Sequence, residues 1–242
     1  MVNNSLLKPG LFDVNHGFSC DLRRNFESLF WLCGEIPDCL CCNGPNMNST
    51  NWLPLIELLR CASLEFEPGL TDPEVEHIEN AFDFRFPPDL RSFLQTAVPF
   101  WTSPRWRTGS EIDLWSWFDE PMRGLLFDVE SNDFLLPEWG ERPRDVRDAL
   151  TIARAKISAA PKLIPILGHR YMPALPSGAG NPVFSVHQAD VIYYGFDLED
   201  YLRHEFNLPR EDWPVQVRQI EFWDPDRFQQ LRWGDDPLTL ID

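Results

Sequence analysis

Basic side chains are scarce in this chain: 21 Lys and Arg stand against 38 Asp and Glu in 242 residues, a formal net charge of −17. Phosphate binding draws its affinity from Lys and Arg, so this balance argues against nucleic acid or an anionic membrane as the main partner and leaves a basic protein open. Long apolar runs are missing too. The longest stretch without Asp, Glu, Lys or Arg is Tyr171–Ala189, and Pro173, Pro176, Gly178, Gly180 and Pro182 break it as a membrane-spanning helix. No secretory leader is visible: Leu6-Leu7 is too short for an apolar core, and Phe26–Cys33 is interrupted by Glu27. The expected location is therefore cytoplasmic. Signatures of chemistry are absent as well. There is no H-x-x-x-H, no H-E-x-x-H and no G-x-S-x-G. Gly178-Ala179-Gly180-Asn181 has neither the lysine of a phosphate loop nor the third glycine of a dinucleotide loop, and Pro182 removes a backbone donor, so a plain connecting loop is expected. No cofactor is implied.

What is present is a globular composition. Apolar residues make up 43% and charged residues 24%, which excludes wholesale disorder. Ten Trp, eighteen Phe and 22 Pro point to a bulky aromatic core with many fixed turns. The acidity is uneven. Residues 51–150 carry nine basic and twenty acidic side chains, whereas 151–200 carry four of each. The neutral stretch also holds most strand-like runs and is expected at the centre of a sheet, with the charge on flanking helices and loops.

Residues 1–48 lack a sustained period and contain the breaker Asn43-Gly44-Pro45-Asn46, which reads as a partly ordered extension with a short helix at Leu22–Leu32. The main domain is expected over 49–242. Ser49-Thr50-Asn51 offers caps before a helix bearing Trp52, Leu55, Ile56 and Leu59, and Glu67-Pro68-Gly69 ends that unit. Thr71-Asp72-Pro73-Glu74 matches a capping box, followed by Val75, Ile78 and Phe82 on one face. Pro87-Pro88-Asp89 starts a helix with Leu90, Phe93, Leu94 and Ala97, closed by Pro99. Residues 100–142 read as aromatic and turn-rich, with Gly124–Val129 as a buried strand. A helix is expected over Pro143–Ala160. Leu163–Leu167, Val183–His187 and Val191–Tyr194 read as strands, the last two as an antiparallel hairpin. Asp197 caps a helix through Phe206, Val215–Ile220 reads as a final strand, and Asp224-Pro225 opens a helix to Leu231. Helices followed by mostly antiparallel strands with interspersed helices give an α+β class.

Several side chains admit two readings. Cys33, Cys39, Cys41, Cys42 and Cys61 suggest zinc, but Cys39-Leu40-Cys41-Cys42 is too tight for paired ligands and no His lies near; unpaired thiols or a redox pair are the alternatives. His169 and His187, with Asp190, Asp197 and Glu138 near in sequence or pattern, are either structural histidines, a binding wall or an acid–base pair. Trp101, Trp106, Trp115, Trp117 and Trp139, with Arg105, Arg107 and Arg123, are either core or the Trp and Arg anchors of an interface.

Leu70-Thr71-Asp72-Pro73-Glu74, Ile78-Glu79 and Phe84-Arg85-Phe86-Pro87-Pro88-Asp89-Leu90-Arg91-Ser92-Phe93-Leu94 together resemble the opening of the SMI1/KNR4 (SUKH) family. Leu163-Ile164-Pro165-Ile166 resembles that family's proline-containing central strand, and Phe184–Tyr194 its hairpin. Leu126-Phe127-Asp128-Val129-Glu130, Leu136-Pro137-Glu138-Trp139-Gly140, Gly168-His169-Arg170-Tyr171 and Gly180–Val186 resemble a subgroup from bacteria and plants. The resemblance covers about residues 65–225. It implies an α+β fold with helices packed on a mixed, mostly antiparallel sheet and a non-enzymatic protein-binding role, either immunity-like neutralisation of a basic toxin or regulatory binding of a signalling protein. It carries over no catalytic residue. The expected partner groove comprises Trp106, Trp139, His169, Arg170, Tyr171, Asn181, His187 and Tyr194. The competing reading is a hydrolase using His169 or His187 with a carboxylate.

Overall fold

The computed structural model describes residues 51–100, 104–210 and 217–229. The extension 1–48, with its helix at Leu22–Leu32 and four of the five cysteines named above, lies outside the described residues, as do Trp101, Ser49 and Thr50. The fold is α+β. Among the described residues there are seven α-helices and two sheets, and every strand pair is antiparallel, so no mixed pairing occurs.

The first helix, α1 (Leu53–Cys61), opens where the Asn51 side chain accepts the Leu53 N–H at 3.3 Å, and it buries Leu55, Ile56 and Leu59. The segment after it pairs as β1 (Phe66–Pro68) with β2 (Ala97–Pro99), a small sheet absent from the sequence reading. Between them lie α2 (Asp72–Ala81) and α3 (Pro88–Thr96). The capping box at Thr71 forms as expected, Thr71 N–H donating to Glu74 Oε2 at 2.7 Å and Glu74 N–H to Thr71 Oγ1 at 3.4 Å. Helix α3 stops at Thr96 because Ala97 turns to extended backbone and enters β2; Pro99 ends the strand, not the helix.

Residues 100–142 are the largest departure. Ser110 caps α4 (Glu111–Ser131), a 21-residue helix that contains Gly124–Val129. The apolar run looked like a buried strand, but Leu125, Leu126, Asp128 and Val129 are buried and Phe127 is 49% exposed, the i, i+1, i+3, i+4 spacing of a helix and not the alternation of a strand. Pro121 sits inside this helix. Its missing N–H leaves the Trp117 carbonyl without its partner four residues on. The Tyr171 hydroxyl, 54 residues away, donates to that carbonyl at 3.3 Å. Burial, with Glu120 nearby, pushes the Tyr171 phenol up and keeps it a donor.

A 3₁₀ turn at Pro137–Trp139 leads to α5 (Val146–Ser158), capped by Asp145 and shorter than Pro143–Ala160. Then come β3 (Leu163–Leu167), β4 (Arg170–Pro173), β5 (Val183–His187) and β6 (Asp190–Gly195), in that spatial order. Strand β4 was hidden in the loop-like stretch after Gly168. Asp197 caps α6 (Leu198–Glu205) through the Asp200 N–H at 2.8 Å. Residues 217–220 are not a strand, and Val215 and Gln216 lie outside the described residues. The last described helix is α7 (Pro225–Gln229).

The four-stranded sheet is covered on both faces. Ile164, Met172 and Val183 pack with side chains of α1, α2, α3 and α6, whereas Leu163, Tyr171, Phe184 and Val191 pack with α4, α5 and the 220–228 segment. Alternation along β4 and β5 produces this division. Helix α4 serves both layers, Leu114 joining the first cluster and Leu125, Leu126 and Val129 the second.

Candidate functional site

Of the eight expected groove residues, the structure leaves four outside the core, as the pairs Arg170–Tyr194 and His169–His187, and puts the other four inside. Trp106 and Trp139 are 6% and 8% exposed and Tyr171 and Asn181 wholly buried, so none of them lines a surface groove. Trp106 packs edge-on against Phe86 and lines a small apolar cavity with Leu90, Phe93 and Ile166. Trp139 stacks on Phe222, and Tyr171 supports α4. Asn181 Nδ2 donates to the Pro173 and Pro176 carbonyls at 2.9 and 2.8 Å, while its Oδ1 accepts from Arg218 at 2.7 Å. It holds the β4–β5 loop, the expected connecting loop around Gly178.

The first pair is half-buried and spans β4 and β6, with β5 between them. Arg170 opens β4 opposite Ser185 on β5. Its Nη1 donates to Ser185 Oγ at 2.8 Å and its Nε to Glu205 Oε2 of α6 at 3.3 Å. So held, the guanidinium lies 3.6 Å from the ring centre of Tyr194 on β6, a close cation–π stack. Tyr194 in turn stacks on His204 at 4.3 Å and 21°. His204 Nδ1 is 2.8 Å from the Tyr194 carbonyl, which only accepts, so that nitrogen carries the proton. Arg170, Tyr194 and His204 thus form a stacked, half-buried shelf at the β6 side of the sheet, with Ile192 exposed on the same strand. Sequence reasoning found Arg170 and Tyr194 and missed Ser185, His204 and Glu205. The signal for the last two was weak: they fall one turn beyond Tyr201 on the capped helix.

His169 and His187 occupy adjacent turns. Gly168, at φ 53°, makes the β3–β4 turn, and the His169 carbonyl accepts the Val186 N–H at 2.9 Å. His187 ends β5 opposite Asp190. Its turn is fixed from below by α4: the buried Asp128 carboxylate accepts the Ala189 N–H at 2.7 Å, and Gly124 approaches so closely that a Cβ would lie 3.1 Å from the Gln188 backbone. The two imidazole centres are 6.3 Å apart and both side chains are exposed. Partial desolvation, with Arg170 and His187 adding to it and Asp190 opposing, holds His169 below the usual histidine value. No group of three or more His, Cys, Asp or Glu among the described residues is arranged to hold a metal ion.

Other candidates resolve into structure. Glu138 reaches only Arg227, at 3.8 Å. Arg107 is pinned by Glu74 and Glu67 at 2.6 and 2.9 Å. Cys61 is an exposed free thiol on α1. No helix among the described residues is long and apolar enough to cross a membrane. No family model, curated protein or solved structure matches the chain.

Proposed function

We propose that the chain is a non-enzymatic protein-binding module of the SMI1/KNR4 type, acting on a basic toxin or a signalling protein. The observation that carries this reading is the Arg170–Tyr194–His204 shelf, whose guanidinium is stacked 3.6 Å over the tyrosine and tied to Ser185 and Glu205. Arg and Tyr are the side chains that dominate binding energy at interfaces, and a pair already fixed in one rotamer loses little entropy on docking. The surplus of acidic residues favours a basic partner and its electrostatic steering. The ordered set of sequence motifs supports the family reading, and two of its acidic positions have structural tasks here: Glu79 accepts the Phe86 N–H at 3.0 Å, and Asp128 holds the β5–β6 turn.

The test is capture with the full chain. Immobilised wild type should retain a specific protein that Arg170→Ala and Arg170→Lys each retain at least tenfold less, with unchanged circular dichroism. Lysine keeps the charge and loses the planar stack. Equal capture by all three would overturn the reading.

The 6.3 Å separation of the His169 and His187 rings favours a second reading, a hydrolase using one imidazole with a carboxylate. Under that reading, Ala at both positions abolishes turnover of an ester or phosphoester panel. Under the binding reading, the double variant stays folded and partner-competent.

A further inference from the structure

The β3–β4 and β5–β6 turns lie at one end of the four-stranded sheet and carry two histidines that the Arg170–Tyr194–His204 shelf does not use. The His169 and His187 ring centres are 6.3 Å apart, with the planes at 68°, and both side chains are exposed. His204 spends its Nδ1 on the Tyr194 carbonyl, whereas neither of these two rings makes a hydrogen bond or ion pair among the described residues. Each neutral ring therefore keeps a lone pair for an outside ligand. The backbone that presents them is held on several sides. The Val186 N–H donates to the His169 carbonyl at 2.9 Å and joins one turn to the other. Gln188 stands at φ 56°, in the left-handed region that side chains other than glycine rarely adopt. Such a conformation persists only where its surroundings fix it, and here Asp128 holds the next N–H at 2.7 Å while Gly124 lies against the Gln188 backbone.

Neutral imidazole is a ligand for borderline divalent metals. Desolvation, then Arg170 and His187, hold His169 below the usual histidine value, so it is neutral at neutral pH. The charge of Arg170 is answered by Glu205 at 3.3 Å, and Asp190, opposite His187 in the hairpin, adds a negative field. Two imidazoles bonded to one tetrahedral zinc through bonds of about 2.0 Å have ring centres roughly 5 Å apart. Small χ changes within the rotamer wells of two exposed side chains close the difference of about 1 Å. We infer that His169 and His187 together chelate one borderline divalent transition-metal ion such as Zn²⁺. No third His, Cys, Asp or Glu completes a cage among the described residues. Positions on the ion thus stay open for water or for a donor group of a bound partner. The outer ring nitrogens lack the hydrogen-bonded support that tightens resident metals, which makes the ion exchangeable. This site goes beyond the protein-binding reading and stands without it.

The probe is Zn²⁺ alone, titrated into the full chain at about pH 7.5 while NMR follows the ring signals of the five histidines. His169 and His187 should shift together along one binding curve, and His77 and His204 should stay in place. This shared curve is read on the wild type and needs no variant to fold. His169→Ala and His187→Ala should each weaken Zn²⁺ binding at the remaining ring at least tenfold, because the second bond is no longer intramolecular. His77→Ala should leave both shifts unchanged. The cysteines are the same in every variant, and zinc held by thiols does not move the imidazole signals. Affinity should also fall at least tenfold between about pH 7.5 and about pH 5.5, as protons take the ring lone pairs. Two different curves for the two rings, an affinity that survives either alanine, a binding independent of pH, or no shift at all would each overturn the inference. None of these outcomes touches Arg170, Tyr194 or His204, so the capture experiment on Arg170 decides the protein-binding reading separately.

Discussion

The two faces of the four-stranded sheet each carry a buried carboxylate that ties a helix to a turn, and the two ties differ in range. On the first face, Glu79 of α2 accepts the Phe86 N–H at 3.0 Å, seven residues along the chain. On the second, Asp128 of α4 accepts the Ala189 N–H at 2.7 Å, 61 residues away, and also the Asn132 side chain at 2.6 Å. The short tie shapes a helix–turn–helix unit that closes on itself. The long tie fixes the β5–β6 turn, and with it the position of His187 against His169. A buried acceptor is therefore local scaffolding in one layer and site scaffolding in the other.

Removing each acceptor tests that difference. Asp128→Ala leaves the Ala189 N–H without a partner in a mostly buried setting and should cost about 1–3 kcal/mol in urea unfolding. Glu79→Ala should cost a similar amount through the Phe86 N–H. The two should part in NMR. Asp128→Ala should shift the imidazole signals of His169 and His187 and move the His169 titration, whereas Glu79→Ala should leave both signals in place. Identical imidazole spectra for the two variants would break the comparison.

The same contrast in range explains what the sequence disclosed. The α2–α3 unit was legible because its determinants are neighbours: Thr71 and Glu74 cap each other, and Pro87-Pro88 opens the next helix. The β5–β6 hairpin was legible from the short gap between its two strand-like runs, read as three residues where the structure leaves two, Gln188 and Ala189. Helix α4 was not. Residues 100–142 read as aromatic and turn-rich, and the apolar run Gly124–Val129 within them read as a strand. What permits Pro121 inside the helix is the Tyr171 hydroxyl on the Trp117 carbonyl, a contact that no local pattern encodes. The candidate shelf was half legible for a related reason. Arg170 stood in the motif Gly168-His169-Arg170-Tyr171 and Tyr194 at the end of an expected strand, while Ser185 and Glu205 matter only because the strand order and α6 bring them to Arg170. Trp106 and Trp139 were open to both readings, and packing decided for the core.

The proline account carries its own test on the second face. Tyr171→Phe removes the donor to the Trp117 carbonyl and should cost about 1 kcal/mol. In a Pro121→Ala background the backbone N–H returns to that carbonyl, so the same Tyr171→Phe change should cost close to nothing. The difference is the coupling energy of a double-mutant cycle measured by urea unfolding. Equal costs in both backgrounds would mean that the tyrosine supports the helix by packing alone.

The mildest effect belongs to the first face and depends on pH. Hydrogen bonds from Arg107, then from the Thr71 backbone and hydroxyl, bring the Glu74 carboxyl from 4.5 down to about 2. A carboxylate whose value is lower in the folded chain stabilises fully above its unfolded value and loses that contribution as pH falls through its folded value. The stability difference between wild type and Glu74→Gln should therefore be constant above about pH 5, shrink from about pH 4.5 downward and vanish near pH 2. The carboxylate is about one-third exposed, so the difference should also narrow in high salt. Urea midpoints at stepped pH read both trends. A gap that stays constant down to about pH 2 would assign the role of Glu74 to the neutral geometry of the capping box, and Arg107 would then be a passive neighbour on this face.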